Sequence, residues 1–326
     1  MADTQIQAAD LVIIGAGPAG LTAAQYGARA NLKTLIVEQL APGGQALLIG
    51  ELENYPGYLR RGEGAPSGFD FAQDLQKQAE QFGASFMYDT INSLKKEDDS
   101  FILGMAGRKI LIAPAVILAT GSKPRLLGIP GEKEFFGRGV SYCATCDGPF
   151  FRWKKMFVIG GGDAACGEAL YLSRLASKIV LVHRRDRFRA QASIAEQVLK
   201  NPAIEVRFNT VLLEIRGKEP KRVNSVILGK ASGGDSYEEE TDAVFIFAGT
   251  IPQAGLLRAD KLPGLAFDES GYVITDQNMA TGVPGLFAAG DIRAGAFRQV
   301  VTACGDGASA AHSAARYIDE LRGSAY

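Results

Sequence analysis

Two glycine-rich turns, each placed directly after a short apolar run, constrain the fold of this chain more than any other feature. The first, GAGPAG at residues 15–20, follows apolar residues 11–14, and the second, GGGDAA at residues 160–165, follows apolar residues 156–159. A helix-like segment and a further apolar strand come after each turn, which is the order of a dinucleotide-binding βαβ unit. The sequence therefore predicts an α/β fold with two Rossmann-like dinucleotide-binding domains.

An acidic residue closes the first unit. The apolar segment 33–37 ends at Glu38, where a carboxylate can bind ribose hydroxyls while the glycines let the backbone approach a pyrophosphate. A G-x-G-x-x-G motif alone is also compatible with an ordinary tight turn, but here strand, turn, helix, strand and acid all occur at the expected spacing. Because Glu38 disfavours a 2′-phosphate, the first site is predicted to bind FAD or NAD rather than NADP.

Basic residues take the place of that acid in the second unit. They follow the apolar segment 178–182 and are His183, Arg184, Arg185, Arg187 and Arg189. Arginines at this position select the 2′-phosphate of NADP, although a basic cluster can also be no more than a solvated face. Together the two units predict FAD in the first site and NADPH in the second.

Cys143 and Cys146 form a C-x-x-C motif that Asp147 follows at once. A zinc half-site would need a second pair of ligands, whereas the other two cysteines are isolated and the chain has only two histidines. An inert buried pair is the other alternative. The spacing favours a redox-active dithiol because it closes a small disulfide and lowers the pKa of one thiol. Asp147 could supply or take the proton of thiol–disulfide exchange, and its alternative role is that of a turn or cap residue.

Size and composition exclude several other classes of protein. The 326 residues suffice for about two domains, and a formal net charge of -1 gives no reason to expect nucleic acid or a membrane as a partner. No apolar run reaches the roughly 18 residues of a transmembrane helix, and residues 1–10 lack the pattern of a secretory signal. We therefore expect a cytoplasmic protein with no nucleic-acid partner, no membrane association and no metal site.

Two turn-rich segments divide the chain. Segment 122–131 holds two prolines and two glycines, and a second turn-rich stretch follows the apolar residues near 245–255. Segment 285–291 then reads as a strand ending in Asp291, which suits a second cofactor contact, although an ordinary strand-to-helix turn is the alternative. We expect an NADPH domain (123–252), carrying the C-x-x-C motif, to be inserted into an FAD domain (1–122 and 253–326).

Further short motifs complete the pattern. They are GGQ at 43–45, ENYPG at 53–57, ATG at 119–121, CATCDG at 143–148, HRR at 183–185, GD at 290–291 and RQ at 298–299. With the two glycine turns, they make the chain resemble the bacterial-type, low-molecular-weight thioredoxin reductases over nearly its whole length. The resemblance implies a homodimer in which the NADPH domain swivels, presenting the flavin alternately to the nicotinamide and to the cysteine pair. It also implies that Cys146 faces the flavin, that Cys143 attacks the disulfide of a thioredoxin partner, and that Asp147 is the acid.

The resemblance and the local patterns together give the candidate binding residues. For FAD these are Gly15, Gly17, Pro18, Ala19, Gly20, Glu38, Gly44, Gln45, Asn54, Thr120, Gly121, Gly290, Asp291, Arg298, Gln299 and Val300. For NADPH they are Gly160, Gly162, Asp163, Ala164, Ala165, His183, Arg184, Arg185 and Arg189. The chain departs from the family pattern at Cys166 and Gly167, where valine and glutamate are common, and at Pro149, where an aromatic residue is usual.

Two rival hypotheses are weighed against an NADPH-dependent thioredoxin reductase. A flavin reductase that feeds a peroxidase would carry an extra N-terminal thioredoxin-like module, which we do not expect because the nucleotide fold starts by Leu11. A flavoprotein sensor would use Cys143 and Cys146 as a regulatory disulfide with little turnover. The intact cofactor motifs count against it, and the arginines after the second unit count against a ferredoxin-fed relative.

Overall fold

A computed structural model describes most of the chain. The described residues are 5–49, 52, 54–58, 66–106, 109–218, 222–259 and 262–324. Glu53 of the ENYPG motif lies outside them. The chain separates into two compact units, one formed by residues 1–123 with 251–326 and the other by residues 124–250.

The elements are numbered in chain order. The strands are β1 (Gln5–Ala8), β2 (Leu11–Ile14), β3 (Thr34–Glu38), β4 (Ser85–Tyr88), β5 (Ile91–Glu97), β6 (Ser100–Met105), β7 (Lys109–Ala113), β8 (Ala115–Leu118), β9 (Ser122–Pro124), β10 (Val140–Ser141), β11 (Lys155–Ile159), β12 (Lys178–Val182), β13 (Ile204–Arg207), β14 (Thr210–Lys218), β15 (Arg222–Lys230), β16 (Ser236–Glu240), β17 (Ala243–Ile246), β18 (Thr250–Pro252) and β19 (Leu286–Ala288). The helices are α1 (Pro18–Arg29), α2 (Gly68–Gln81), α3 (Ala144–Asp147), α4 (Asp163–Leu172), α5 (Ala192–Lys200), α6 (Gly255–Ala259) and α7 (Val300–Leu321).

A five-stranded parallel sheet forms the centre of the first unit, in the order β19-β8-β2-β3-β4. Strands β2, β8 and β19 are buried along their whole length, as expected for apolar runs covered on both faces. Because all five strands run parallel, their carboxyl ends meet at one edge. The glycine turn after β2, Glu38 at the end of β3 and the 290–291 segment after β19 therefore belong to the same edge of the sheet.

Helices α1, α2 and α7 bury their apolar faces with one side of this sheet. Helix α2 begins with a capping box, in which Asp70 N–H donates to Ser67 Oγ (3.1 Å) and Ser67 N–H donates to Asp70 Oδ2 (2.9 Å). Helices α1 and α7 approach so closely that a β-carbon at Gly307 would overlap the carbonyl oxygen of Ala19. This contact joins Gly307 of α7 to the first turn of α1.

A second sheet in this unit, β1-β7-β6-β5, includes a strand that the sequence did not predict. Residues 5–8 alternate glutamine with isoleucine and alanine and are largely exposed, yet β1 pairs in parallel with β7, from Gln5 opposite Lys109 to Ala8 opposite Ile112. Backbone pairing to an existing edge, rather than an apolar pattern, makes this segment a strand.

The second unit repeats the arrangement of the first. Its parallel sheet has the order β10-β17-β11-β12-β13, and α4 and α5 pack on it. Between β13 and β17 the chain forms a separate antiparallel sheet, β14-β15-β16. Helix α4 follows the second glycine turn and ends at Leu172. Arg207 at the end of β13 donates to Glu205 (2.6 Å) and also pairs with Glu239 of β16. The predicted α/β class with two Rossmann-type parallel sheets is confirmed.

A helix that crosses a membrane needs about 20 consecutive, predominantly apolar residues. None of those in the described residues is both long enough and apolar enough to cross a bilayer.

Candidate active site

The first glycine turn leaves room for a ligand at one position and none at another. Gly15 has φ +102°, a conformation that favours glycine, and a β-carbon at Gly20 would overlap the carbonyl oxygen of Gly15. A β-carbon at Gly17 would meet no atom within 4 Å. Pro18 opens α1, so the free N–H groups of the first helical turn point toward the same space. The turn is closed on its helix side and open where a pyrophosphate would lie.

Glu38 is held at the end of β3 by two backbone donors. Ala16 N–H donates to Oε2 (2.8 Å), and Leu40 N–H donates to Oε1 (2.9 Å). The first of these bonds ties the carboxylate to the glycine turn itself. Each oxygen retains a lone pair with which it can accept from a ribose hydroxyl.

The GGQ segment folds over the same turn. Gly43 N–H donates to the carbonyl of Ala16 (2.7 Å), and a β-carbon at Gly44 would lie 3.1 Å from Gly17 Cα. Gln45 extends away and donates through Nε2 to the carbonyl oxygen of Ser122. The segment therefore joins the glycine turn to the ATG motif that follows β8.

Residues distant in sequence converge on this edge of the sheet. Asn54 Nδ2 donates to Gln299 Oε1 (3.1 Å), which links the ENYPG motif to the start of α7. Thr120 Oγ1 donates to the carbonyl of Gln253 (2.8 Å), and Gly121 accepts from Gln253 N–H (2.9 Å). Val300 is the first residue of α7.

The segment after β19 brings an acid and a strained arginine to the site. A β-carbon at Gly290 would lie 2.9 Å from that of Ala19, which places Gly290 against the glycine turn. Burial raises the pKa of Asp291 to about 6, with Arg298 opposing the shift. Arg298 has φ +57°, and its guanidinium lies 4.6 Å from the centroid of the Tyr272 ring.

Asp306 on α7 is a site residue that the sequence analysis missed. Its Oδ2 accepts from Gly290 N–H (3.1 Å) and from Arg293 Nη1 (2.7 Å). The carboxylate therefore fixes the backbone of the GD motif from the neighbouring helix. The spacing of a helical residue gives no local signal of such a contact.

In the second unit, Cys143 and Cys146 form a disulfide, with their Cα atoms 5.3 Å apart. Cys143 is the residue before α3, and Cys146 lies in the last turn of that short helix. The backbone N–H of Cys146 donates to Cys143 Sγ (3.2 Å). The backbone of α3 thus directs an N–H at the first sulfur of the pair.

Asp147 ends the same helix and is partly buried. Burial raises the pKa of its carboxyl, and a hydrogen bond from Ser141 Oγ (2.5 Å) lowers it. A carboxyl with a raised pKa next to a dithiol can hold a proton for the exchange reaction.

The second glycine turn also has one open position. A β-carbon at Gly162 would meet nothing within 4 Å, whereas one at Gly160 would lie 2.6 Å from the β-carbon of Ala165. Asp163 and Ala164 are exposed in the first turn of α4. Asp163 Oδ1 accepts from Gln191 N–H (2.7 Å), which holds the end of the basic segment over the start of the helix.

His183 lies inside the unit, apart from the exposed arginines. It is 5% exposed, its ring covers Gly161, and it stacks with Phe188 at a centroid distance of 6.0 Å. Burial, followed by the charges of Arg189 and Arg185, lowers the pKa of His183. Its Nε2 is buried and has no partner in the described part of the protein. A neutral imidazole therefore packs against Gly161 of the glycine turn.

The arginines of the basic segment stay in solvent. Arg184, Arg185 and Arg189 are exposed, and no carboxylate among the described residues forms an ion pair with them. Arg189 N–H donates to the carbonyl of Gly161 (2.7 Å), so the segment is attached to the glycine turn through its backbone. The side chains remain available for an anionic ligand.

Each glycine turn fits the cofactor that the sequence predicts for it. In the first unit the open space above Gly17, the start of α1 and the carboxylate of Glu38 suit the pyrophosphate and ribose of FAD. In the second unit the open space at Gly162, the start of α4 and the unpaired arginines suit NADPH. Cys166 and Cys304 are free and buried, and no group of three or more metal-ligating side chains occurs in the described ranges.

Comparisons with known proteins agree with this geometry. A family model described as pyridine nucleotide-disulphide oxidoreductase matches residues 9–307. A thioredoxin reductase of Treponema pallidum (strain Nichols) is 54% identical over 313 residues, which cover 96% of this chain and 98% of the relative. The crystal structure of thioredoxin reductase from Streptococcus pyogenes MGAS5005 is 38% identical, with a TM-score of 0.87, and the match covers 98% of this chain and 100% of that one. Thioredoxin reductase from Giardia duodenalis gives 36% identity and a TM-score of 0.87, over 96% of this chain and 99% of that one. This chain belongs to the pyridine nucleotide-disulphide oxidoreductase family.

Proposed function

We propose that this protein is an NADPH-dependent thioredoxin-disulfide reductase. The observation that carries the proposal is the Cys143–Cys146 disulfide, which lies in the same unit as a glycine turn flanked by unpaired arginines. Relatives named thioredoxin reductase match almost the whole chain, and the cofactors of that family are FAD and NADPH. Bound FAD would accept a hydride from NADPH and supply the electron pair that reduces the disulfide.

The first unit would hold FAD through the edge of its parallel sheet. The backbone of the turn at 15–20 and the start of α1 would bind the pyrophosphate, and Glu38 would bind the ribose. The 290–300 segment, whose Gly290 N–H donates to Asp306, would bind the other parts of FAD. In the second unit the turn at 160–165 would bind the pyrophosphate of NADPH, and the exposed arginines would bind its 2′-phosphate.

The reduced cysteine pair would then act by thiol–disulfide exchange. The Cys143 thiolate attacks one sulfur of the thioredoxin disulfide, and the departing thioredoxin thiolate takes a proton. Cys146 then attacks Cys143 in the mixed disulfide, so the enzyme disulfide forms again and the second thioredoxin sulfur leaves as a thiol. Two electrons and two protons pass to thioredoxin in each cycle. Asp147 would hold and deliver one of those protons, and the raised pKa of its carboxyl supports this role.

Trapping of the mixed disulfide tests the roles of the two sulfurs. We expect Cys146→Ser to form a covalent complex with a thioredoxin that keeps only its attacking cysteine, activated as the mixed disulfide with thionitrobenzoate. The matched variant Cys143→Ser should form none, as read on a non-reducing gel. A complex formed only by Cys143→Ser would reverse the assignment.

Three finer features belong to the same proposal. We propose a homodimer, a cytoplasmic location, and movement of the NADPH unit between the two half-reactions, each supported by the similarity to thioredoxin reductases. Sedimentation equilibrium of the holoenzyme tests the dimer, and a mass of 34.6 kDa, that of one chain, would contradict it.

A further inference from the structure

Ser141 is a buried polar residue whose hydroxyl joins both ends of the redox stretch. It ends strand β10, opposite Phe245 of β17, and is 2% exposed. Its Oγ lies 2.5 Å from Asp147 Oδ2, 3.1 Å from the backbone nitrogen of Cys143 and 3.2 Å from the carbonyl oxygen of Cys143. One hydroxyl on a sheet strand thus contacts the residue that begins the C-x-x-C motif and the acid that follows it.

The single proton of this hydroxyl can serve only one acceptor. The carboxylate of Asp147 is the nearer and the charged acceptor, so the Ser141 O–H donates to it, while Cys143 N–H donates to Ser141 Oγ. The chain of donors therefore runs from the Cys143 backbone through Ser141 to Asp147. No other side chain in the described ranges donates to that carboxylate.

Other charges near Asp147 do not replace this donor. Helix α3 packs on α4 and on the 3-10 turn that follows it at residues 148–151, and that turn carries no titratable side chain. The titratable groups of α4 are all acids, namely Asp163, Cys166, Glu168 and Tyr171. Ionised Asp147 thus depends on Ser141 for stabilisation, against a burial that favours its neutral form.

We infer that Ser141 is a positioning residue, which orients the carboxyl group of Asp147 toward the Cys143–Cys146 pair and sets the pH range over which that group delivers its proton. The inference rests on the proposed role of Asp147 in thiol–disulfide exchange. Ser141 is buried on a strand that pairs with β17, so its hydroxyl offers Asp147 a donor in a fixed position.

The test compares Ser141→Ala and Asp147→Asn with the double variant in the FAD-loaded enzyme. NADPH consumption is followed from pH 5 to pH 9 with two acceptors, oxidised thioredoxin and bis(2-hydroxyethyl) disulfide, whose departing alkyl thiolate also needs a proton. Flavin bleaching by NADPH is recorded in the same preparations. Ser173→Ala is the matched control, because the Ser173 hydroxyl is also hydrogen-bonded, to Leu170 (2.8 Å), but lies outside the redox stretch.

In Ser141→Ala we expect flavin bleaching at the wild-type rate and disulfide turnover reduced about tenfold, which is less than the roughly 100-fold or more that the complete loss of an acid–base group costs. The wild-type pH profile should contain a limb that is absent in Asp147→Asn. In Ser141→Ala the midpoint of this limb should move to a pH about one unit higher, because the ionised carboxylate of Asp147 has lost its hydrogen-bond donor. When Ser141→Ala is added to Asp147→Asn, the turnover should differ by less than about twofold from that of Asp147→Asn alone.

Two results would overturn the inference. One is a Ser141→Ala enzyme with the wild-type rate and pH profile, and the other is an equal loss of turnover in both backgrounds, which indicates a structural role unrelated to Asp147. If Ser141→Ala is recovered without flavin, Ser141→Thr takes its place in the experiment. Because threonine retains the hydroxyl group, the inference requires this variant to have the same pH profile as the wild type. Turnover with the small disulfide but none with thioredoxin would contradict the proposed partner and still test Ser141.

Discussion

The first glycine turn gives a matched pair of substitutions that separate folding from cofactor binding. In Gly20→Ala the added methyl group would overlap a backbone carbonyl oxygen, whereas in Gly17→Ala it would enter open space. Gly17 also has φ -71° and ψ -178°, which alanine adopts without strain. The same substitution should therefore affect folding at Gly20 and cofactor binding at Gly17.

The expected magnitudes follow from these contacts. Overpacking against backbone in Gly20→Ala costs about 3 kcal/mol, and the higher helix propensity of alanine returns about 1 kcal/mol, which leaves a net loss of about 2 kcal/mol. For Gly17→Ala the apoprotein should lose only about 0.5 kcal/mol, since alanine is a poorer residue than glycine before a helix. If the open space holds the pyrophosphate of FAD, a methyl group there should weaken FAD binding about 30-fold, equivalent to about 2 kcal/mol.

Two measurements on each variant test this reasoning. Urea unfolding of the apoprotein, followed by circular dichroism, gives the stability change, and fluorescence titration with FAD gives the dissociation constant. A Gly17→Ala protein that binds FAD as tightly as the wild type would refute the placement of the pyrophosphate. A Gly20→Ala protein as stable as the wild type would refute the packing argument.

Three further predictions concern the second unit. Gly167 is an exposed helical residue whose β-carbon would meet no atom within 4 Å, so Gly167→Ala should raise the stability by about 0.5 to 1 kcal/mol in urea unfolding, and a loss would contradict this. Replacement of Arg184 and Arg185 by alanine should raise the KM for NADPH at least tenfold and leave the KM for NADH nearly unchanged, whereas equal effects on both would exclude a 2′-phosphate site. The hydrogen bond from Arg207 holds the pKa of Glu205 at about 2, below its unfolded value, so this pair stabilises the fold above about pH 4.5 and the contribution is lost as pH falls toward 2. Acid unfolding of Glu205→Gln should accordingly lack that part of the pH dependence.

Much of the fold could be predicted because apolar runs and glycines report local structure directly. Strand β2, the turn after it and helix α1 follow from four apolar residues and three glycines, and the structure has these elements within one or two residues of the prediction. Strand β1 could not be predicted, because it has only four residues, which are largely exposed, and its pairing partner is about a hundred residues away.

The candidate site divides in the same way. Glu38 was predicted at a strand end because the βαβ pattern itself places it there, and the structure holds it against the glycine turn. Ser141 and Asp306 were missed because each side chain forms hydrogen bonds with a different element. Ser141 lies on a strand and bonds to a residue of a helix, and Asp306 lies on a helix and bonds to the segment after β19. A serine that is fully buried in a short strand is the one clue to such a role, and burial is known only from the structure.

The central claim is that electrons pass from NADPH through this protein to the disulfide of thioredoxin by way of Cys143 and Cys146. Steady-state NADPH consumption with oxidised thioredoxin, run beside NADH and beside Cys146→Ser, tests it most directly. The account predicts fast turnover with NADPH, slow turnover with NADH and none in the variant, which should still show flavin bleaching by NADPH. Undiminished thioredoxin reduction by Cys146→Ser, or wild-type flavin that NADPH fails to bleach, would contradict the account.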